Sequence, residues 1–248
     1  MLDLVCIDPV HAEVRRFADQ GYCVILIGHT GHEEVVGVTG EAPEAVVLIE
    51  TLEQACNRDA RTGARIVDVP DPQRVAYVTQ TTLSVDETAE IIAALRERFP
   101  TIVGPPKDDI CYATTNRQLA VKELLPEIDV LLVIGSSNSS NSTRLVETAQ
   151  APNVAAYIID DETEIDERWL EGRETVGLTS GAFAPEKLLV GACEWFRSRG
   201  VAEIAPLASR LEGVSFKLPV EVSCAPTHNG GDASRHEATG CRVPLGKD

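Results

Sequence analysis

Basic residues are scarce: 22 Lys and Arg stand against 39 Asp and Glu, a formal charge of -17 at pH 7. That balance excludes a nonspecific grip on nucleic acid or anionic lipid, because such binding needs clustered cations to displace phosphate counterions. Any anionic ligand has to be held by a local set of donors. Long apolar runs are missing too, none approaching the roughly 20 residues that cross a bilayer. The opening Met1-Leu2-Asp3-Leu4 has no basic region leading into an apolar stretch and a cleavage site. The expectation is a cytoplasmic protein with neither a membrane nor a nucleic acid as partner. Close CxxC pairs are absent among the seven cysteines Cys6, Cys23, Cys56, Cys111, Cys193, Cys224 and Cys241, which argues against a disulfide framework or a zinc knuckle. No Gly-Lys-Ser/Thr closes a phosphate loop and no GxGxxG occurs, so neither a nucleotide nor a nicotinamide is implied.

What is present is ample apolar content, 44% of 248 residues, enough for one large or two small cores at roughly one domain per 150 residues. Short β-rich runs at Val24 to Ile27, Val46 to Ile49, Val75 to Val78, Val130 to Gly135, Ala155 to Ile159 and Thr175 to Leu178 read as strands. Amphipathic stretches at Thr88 to Phe99, Arg117 to Leu125, Ser142 to Ala149 and Pro185 to Arg199 read as helices. The alternation predicts an α/β fold of two consecutive units with mainly parallel sheets. The Pro/Gly/Asp-rich Gly104 to Asp109 divides a first unit, 1–107, from a second, 108–205. A C-terminal segment, 206–248, follows, aperiodic and expected to be disordered from about 223. Its His228, His236 and Cys241 are too widely spaced to suggest a metal site.

Three places can carry chemistry. Gly28-His29-Thr30-Gly31-His32-Glu33-Glu34 follows a strand, at the sheet edge where ligands collect. It offers imidazoles to hold phosphate and a carboxyl that burial could raise toward neutrality. Gly135-Ser136-Ser137-Asn138-Ser139-Ser140-Asn141-Ser142-Thr143-Arg144 lies between a strand and a helix. Its hydroxyls and amides, with the helix N-terminus, suit an oxyanion. Ser84-Val85-Asp86-Glu87 matches a capping box, which puts Thr79-Gln80-Thr81-Thr82 just past a strand's carboxyl end. Most cysteines read as small buried hydrophobes. Cys111 differs, because polar, turn-prone sequence flanks it on both sides.

Thr79-Gln80-Thr81-Thr82-Leu83-Ser84, Gly104-Pro105-Pro106-Lys107-Asp108-Asp109-Ile110-Cys111-Tyr112-Ala113-Thr114 and Asn138-Ser139-Ser140-Asn141-Ser142, with Gly28 to Glu34 and Gly37, resemble the 4-hydroxy-3-methylbut-2-enyl diphosphate reductase family in order and approximate spacing. The similarity runs from about Val10 to Pro219. It implies a fold of three α/β units around a four-iron four-sulfur cluster held by one cysteine from each. It also implies reductive removal of the hydroxyl of an allylic diphosphate to give isopentenyl and dimethylallyl diphosphates, the last step of the methylerythritol phosphate route. Electrons would come from ferredoxin or flavodoxin.

Carried over by motif, Cys111 resembles a cluster ligand, Glu34 the proton source, His32 a diphosphate contact, and Thr81 a contact near the reacting hydroxyl. Ser139, Ser140 and Asn141 resemble diphosphate donors, and Cys6 is a weaker match to a second cluster ligand. Two features depart from the pattern. The family's first unit, with its cluster cysteine and two histidine motifs, has no counterpart, so two units are expected and one ligand is missing. Phe183 stands where the family has a diphosphate-binding Ser. The alternative reading is an inactive family member or gene fragment that at most binds a diphosphate or a partner protein.

Overall fold

Two runs of β-branched and apolar residues sit at the centres of two sheets in the computed structural model, which describes residues 2–57, 67–106, 109–206 and 240–244, with backbone alone at 2–6 and 240. The elements around the first sheet are α1 (Leu2–Asp19), β1 (Cys23–Ile27), α2 (Glu33–Glu41), β2 (Val46–Ile49), α3 (Leu52–Ala55), β3 (Val75–Thr79) and α4 (Val85–Arg98). Around the second lie α5 (Tyr112–Leu124), β4 (Val130–Ile134), α6 (Ser140–Gln150), β5 (Ala155–Ile159), β6 (Thr175–Ser180), α7 (Glu186–Ser198), β7 (Ala205–Pro206) and β8 (Gly240–Pro244).

Among the described residues the first sheet has the order β2-β1-β3, all parallel, extended by a bridge from Ala76 to Val103. The second has the order β5-β4-β6-β8-β7, parallel from β5 to β6 and antiparallel at β8 and β7. The six expected strands are therefore present and the fold is α/β with mainly parallel sheets. Each central strand is buried on both faces, so it reads as a continuous apolar run. Ile25 and Ile27 of β1 pack with Leu95 and Phe99 of the α4 side, while Val24 and Leu26 pack with Val10, Val14 and Phe17 of α1. In β4, Val130, Leu132 and Ile134 face Phe196 of α7, and Leu131 and Val133 face Val121 and Leu124 of α5 and Leu145 of α6.

Three helices escaped the sequence reading. α1 carries an internal Pro9 and α2 carries Gly37, Gly40 and four valine or threonine residues within nine, a composition with poor intrinsic helix preference. Burial of Val35 and Val38 against Val10, Val14 and Phe17 decides the matter instead. The capping box at α4 is half made. Ser84 Oγ accepts from Glu87 N–H at 3.4 Å, but the Glu87 carboxylate turns to Arg144 at 3.8 Å. The complete box is at α3, where Thr51 and Gln54 exchange both bonds.

The aperiodic C-terminal segment, expected to lack order from about 223, contributes a strand at Gly240–Pro244. Cys241 and Val243 point inward while Arg242 and Pro244 are exposed, an alternation too short to be seen beside Gly-rich sequence. The unpaired edge of β6 supplies the register, Leu178 opposite Cys241 and Val176 opposite Val243, and a free sheet edge is a ready template for such pairing.

Candidate functional site

The loops that leave the carboxyl ends of β1, β3, β4 and β6 hold the candidate residues. After β1 the chain turns at His29–His32, closed by His32 N–H to His29 C=O at 3.2 Å. Gly31 takes φ +82° at the turn's third position, a conformation that glycine adopts without a Cβ clash. His32 is the N-cap of α2, and its Nδ1 accepts from Glu34 N–H at 3.2 Å. That bond requires an unprotonated Nδ1 and so leaves Nε2–H as the outward donor. Burial, with His29 nearby and against the pull of Glu33, lowers the His32 pKa. The imidazole is thus held as a neutral donor, not the protonated one that phosphate binding would suggest.

Glu34, in the first turn of α2, is 7% exposed. Its Oε1 accepts from Thr81 N–H at 2.9 Å and its Oε2 from Thr81 Oγ1 at 3.0 Å. Burial raises the Glu34 pKa and outweighs both Thr81 bonds and the attraction of His11, with Cys111 adding to the rise. A buried carboxyl pushed upward is one that can keep a proton to give away. Thr81 also accepts from Cys111 N–H at 2.9 Å through its C=O. Cys111 is half-buried and caps α5 without using its side chain.

A second line of bonds ties this edge to the other sheet. The fully buried Gln80 accepts from His29 N–H at 3.0 Å and donates through Nε2 to Thr82 Oγ1 at 2.9 Å. Thr82 Oγ1 in turn donates to Ser140 Oγ at 3.0 Å. Gln118 reinforces the junction, donating to Leu83 C=O at 2.8 Å and accepting from Val85 N–H at 3.0 Å. At the start of α6, Ser139 is the N-cap, its Oγ accepting from Ser142 N–H at 3.3 Å. Asn141 is buried and committed to positioning: Nδ2 donates to Thr114 Oγ1 at 3.1 Å, and Oδ1 accepts from Ala182 N–H at 2.8 Å.

Ser142 is different. Its Oγ is buried without a hydrogen-bond partner among the described residues, wedged between Gly135 and Gly181, where any Cβ would collide with it. It borders a cavity of about 430 Å³ that Ser136, Ser139, Phe183 and Asp160 also line. An orphaned hydroxyl beside a helix N-terminus fits a phosphoryl oxygen; the exposed Asp160 carboxylate opposes one, and Phe183, 48% exposed, offers no bond.

The structure therefore brings together Glu34, Thr81 and Cys111, sets His32 on the same edge, and joins them through Gln80 and Thr82 to the α6 start with Ser139, Ser140 and Asn141. Cys6 lies on α1 with its side chain outside the described residues. Gln80 and Ser142 were missed as site residues, because nothing in a Gln or a third Ser of a Ser-rich turn signals burial. The other described thiols are elsewhere: Cys23 opens β1 at its amino end, Cys56 is exposed after α3, and Cys193 and Cys241 lie on α7 and β8. No group of three His, Cys, Asp or Glu side chains able to hold a metal occurs among the described residues. Cys111 is the described thiol at this edge, and it fits one ligand of an iron–sulfur cluster, which thiolates from several directions enclose.

The fold and site define an α/β protein that gathers a buried carboxyl of raised pKa, a thiol and a hydroxyl-rich helix start on adjoining sheet edges. The chain belongs to the LytB protein family, whose pattern matches residues 2–197. It is 46% identical over 245 residues to the 4-hydroxy-3-methylbut-2-enyl diphosphate reductase of Acidothermus cellulolyticus, covering 98% of this chain and 69% of that protein. It is 47% identical over 224 residues to the reductase of the same name from Streptomyces avermitilis, covering 89% of this chain and 64% of the other. The solved E-1-hydroxy-2-methyl-but-2-enyl-4-diphosphate reductase from Plasmodium falciparum superposes with a TM-score of 0.70 at 34% identity, over 77% of this chain and 57% of that one. The chain thus spans about two-thirds of the length of these curated relatives. No helix among the described residues is long and apolar enough to cross a membrane.

Two outcomes follow from the geometry. Because the Glu34 pKa is raised in the folded state, the folded chain binds its proton more tightly than the unfolded chain. The contribution is fully present below the ordinary carboxylate pKa and is lost as pH rises through the raised value. Glu34→Gln, which keeps an acceptor for Thr81 N–H, is expected to match the parent's melting temperature in acid and to exceed it progressively toward neutral and alkaline pH. Paired melting curves across pH check this, and a constant difference would refute it. Gln80→Leu strands His29 N–H and breaks the link to Thr82, an expected loss of about 1–3 kcal/mol in urea unfolding.

Proposed function

We propose that this chain is the reductase its relatives are named for, converting 4-hydroxy-3-methylbut-2-enyl diphosphate to isopentenyl and dimethylallyl diphosphates. Two electrons and two protons enter, the carbon–oxygen bond breaks, and water leaves. The observation that carries the reading is the buried Glu34 with its raised pKa, bound twice by Thr81, whose carbonyl holds the Cys111 backbone at 2.9 Å.

In this reading Glu34 delivers a proton to the departing hydroxyl oxygen, and Thr81 Oγ1 orients it. His32 Nε2–H and the hydroxyls of Ser139, Ser140 and Ser142 hold the diphosphate without adding fixed charge, aided by roughly half a positive charge at the α6 N-terminus. Asn141 acts by fixing Thr114 and Ala182 in place as well as through its remaining N–H. The iron–sulfur cluster of the family would supply the electrons, drawn from ferredoxin or flavodoxin, and Cys111 is the described thiol set to be one of its ligands. Cys6 is assigned as a second ligand by motif alone.

Anaerobic reconstitution of the 248-residue chain with iron and sulfide, followed by iron counting and turnover of the diphosphate, tests the proposal. Bound cluster and turnover that both vanish in Cys111→Ala support it; a chain that takes up no cluster would reduce the function to binding. Glu34→Gln is expected to keep the cluster and lose about 10²–10⁴-fold in turnover, the usual worth of a positioned acid. Inorganic pyrophosphate tests the anion site separately. Ser142→Ala removes an unsatisfied buried hydroxyl, so the variant should be at least as stable as the parent. It should also bind pyrophosphate about tenfold more weakly by calorimetry, the worth of roughly one hydrogen bond.

A further inference from the structure

Away from that edge, α7 and β8 bring two thiols face to face. Cys193 Sγ and Cys241 Sγ are 3.9 Å apart. A disulfide needs about 2 Å between sulfurs, so closure asks for an approach of about 2 Å, within reach of side-chain rotation. Cys241 is buried on β8, at 5% exposure, whereas Cys193 is half-buried on α7. Both line a cavity of about 740 Å³ whose wall includes Phe183, Val190, Ile204 and Arg197. A small thiol reagent therefore has a way to Cys193, and Cys241 waits behind it.

The chemistry of the pair is asymmetric. A hydrogen bond from Cys241 lowers the Cys193 pKa to about 7, with Arg197 helping and both burial and Glu194 opposing. The same contact and burial raise that of Cys241. Cys193 is thus the thiolate and attacking sulfur, and Cys241 the resolving one. These residues have no part in the proposed reaction.

We propose that Cys193 and Cys241 form a reversible oxidation site, closed to a disulfide by small-molecule disulfides and reopened by excess thiol. With oxidised glutathione, the Cys193 sulfur attacks one glutathione sulfur, breaking its S–S bond and releasing one reduced glutathione. Cys241 then attacks the mixed disulfide at Cys193, its proton leaving with the second glutathione. One S–S bond forms, one breaks, and the two protein thiols are oxidised as two glutathiones are reduced. The cross-link ties α7 to β8, and β8 is hydrogen-bonded to β6, which ends at Ser180, just before the Gly181 and Ala182 of the anion site. Oxidation would thereby pin the C-terminal strand and stiffen the wall behind Ser142.

The test uses the reduced full chain and oxidised glutathione, with acid quenching and a non-reducing tryptic map. The expected product joins the peptides 188–197 and 236–242. It should form at least about tenfold faster in native buffer than in concentrated urea, because thiols already in contact skip the search that an unfolded chain must make. Cys241→Ser should stop at a lasting glutathione adduct on Cys193. In the parent chain, a lasting adduct without the cross-link, no reaction at either thiol, or equal rates with and without urea would overturn the proposal; the urea comparison needs no variant to fold.

Discussion

Thr81 grips the Glu34 carboxyl group with its backbone N–H and its hydroxyl, 2.9 and 3.0 Å away, and the candidate site depends on this pair of hydrogen bonds. It spans the loop after β3 and the first turn of α2, so it fixes where the acid sits relative to the sheet. It also permits burial, since a carboxylate out of water with no donors costs several kcal/mol. Two forces then compete over the proton. The Thr81 donors favour the charged form and burial the neutral one, and burial wins. A different balance would leave either an inert carboxylate or an acid too weakly held to position.

The proposed anion site would solve a different problem, holding negative charge on a chain of formal charge -17. A cluster of lysines would be surrounded by carboxylates and largely neutralised. Hydroxyls, amide N–H groups and a helix start are dipoles fixed by the backbone, and they work at contact range where the protein's net field matters least. The close packing of Ser142 against Gly135 and Gly181 shows how little room the arrangement leaves. The buried Gln80, bonded to His29 and Thr82, keeps this site and the acid in register, because Thr82 reaches Ser140 on the second sheet.

The motifs that carry the family resemblance were readable because each sits beside a strand end, and the apolar runs announce the strands. Glu34, Thr81 and the Ser139 to Asn141 turn could be placed on one kind of edge from sequence alone, and Cys111 in a polar turn. Their pairing could not. That Thr81 binds Glu34, or that Asn141 spends its amide on Thr114 and Ala182, involves residues 47, 27 and 41 positions apart. Pattern along the chain carries no information on which distant partners meet. α1 and α2 were missed for the converse reason, since their local preference is weak and their packing strong.

Local sequence determined the parallel strands of the two sheets, the helices α4 to α7 and the kinds of groups at the strand ends, because strand and helix periodicity act over a few residues. Tertiary structure decided that the Glu34 carboxyl is buried and its pKa raised, that Ser142 Oγ is orphaned between two glycines, that Gly240–Pro244 joins β6, and that Cys193 meets Cys241. Burial and long-range contact set those outcomes, and both exist only once the two sheets have packed.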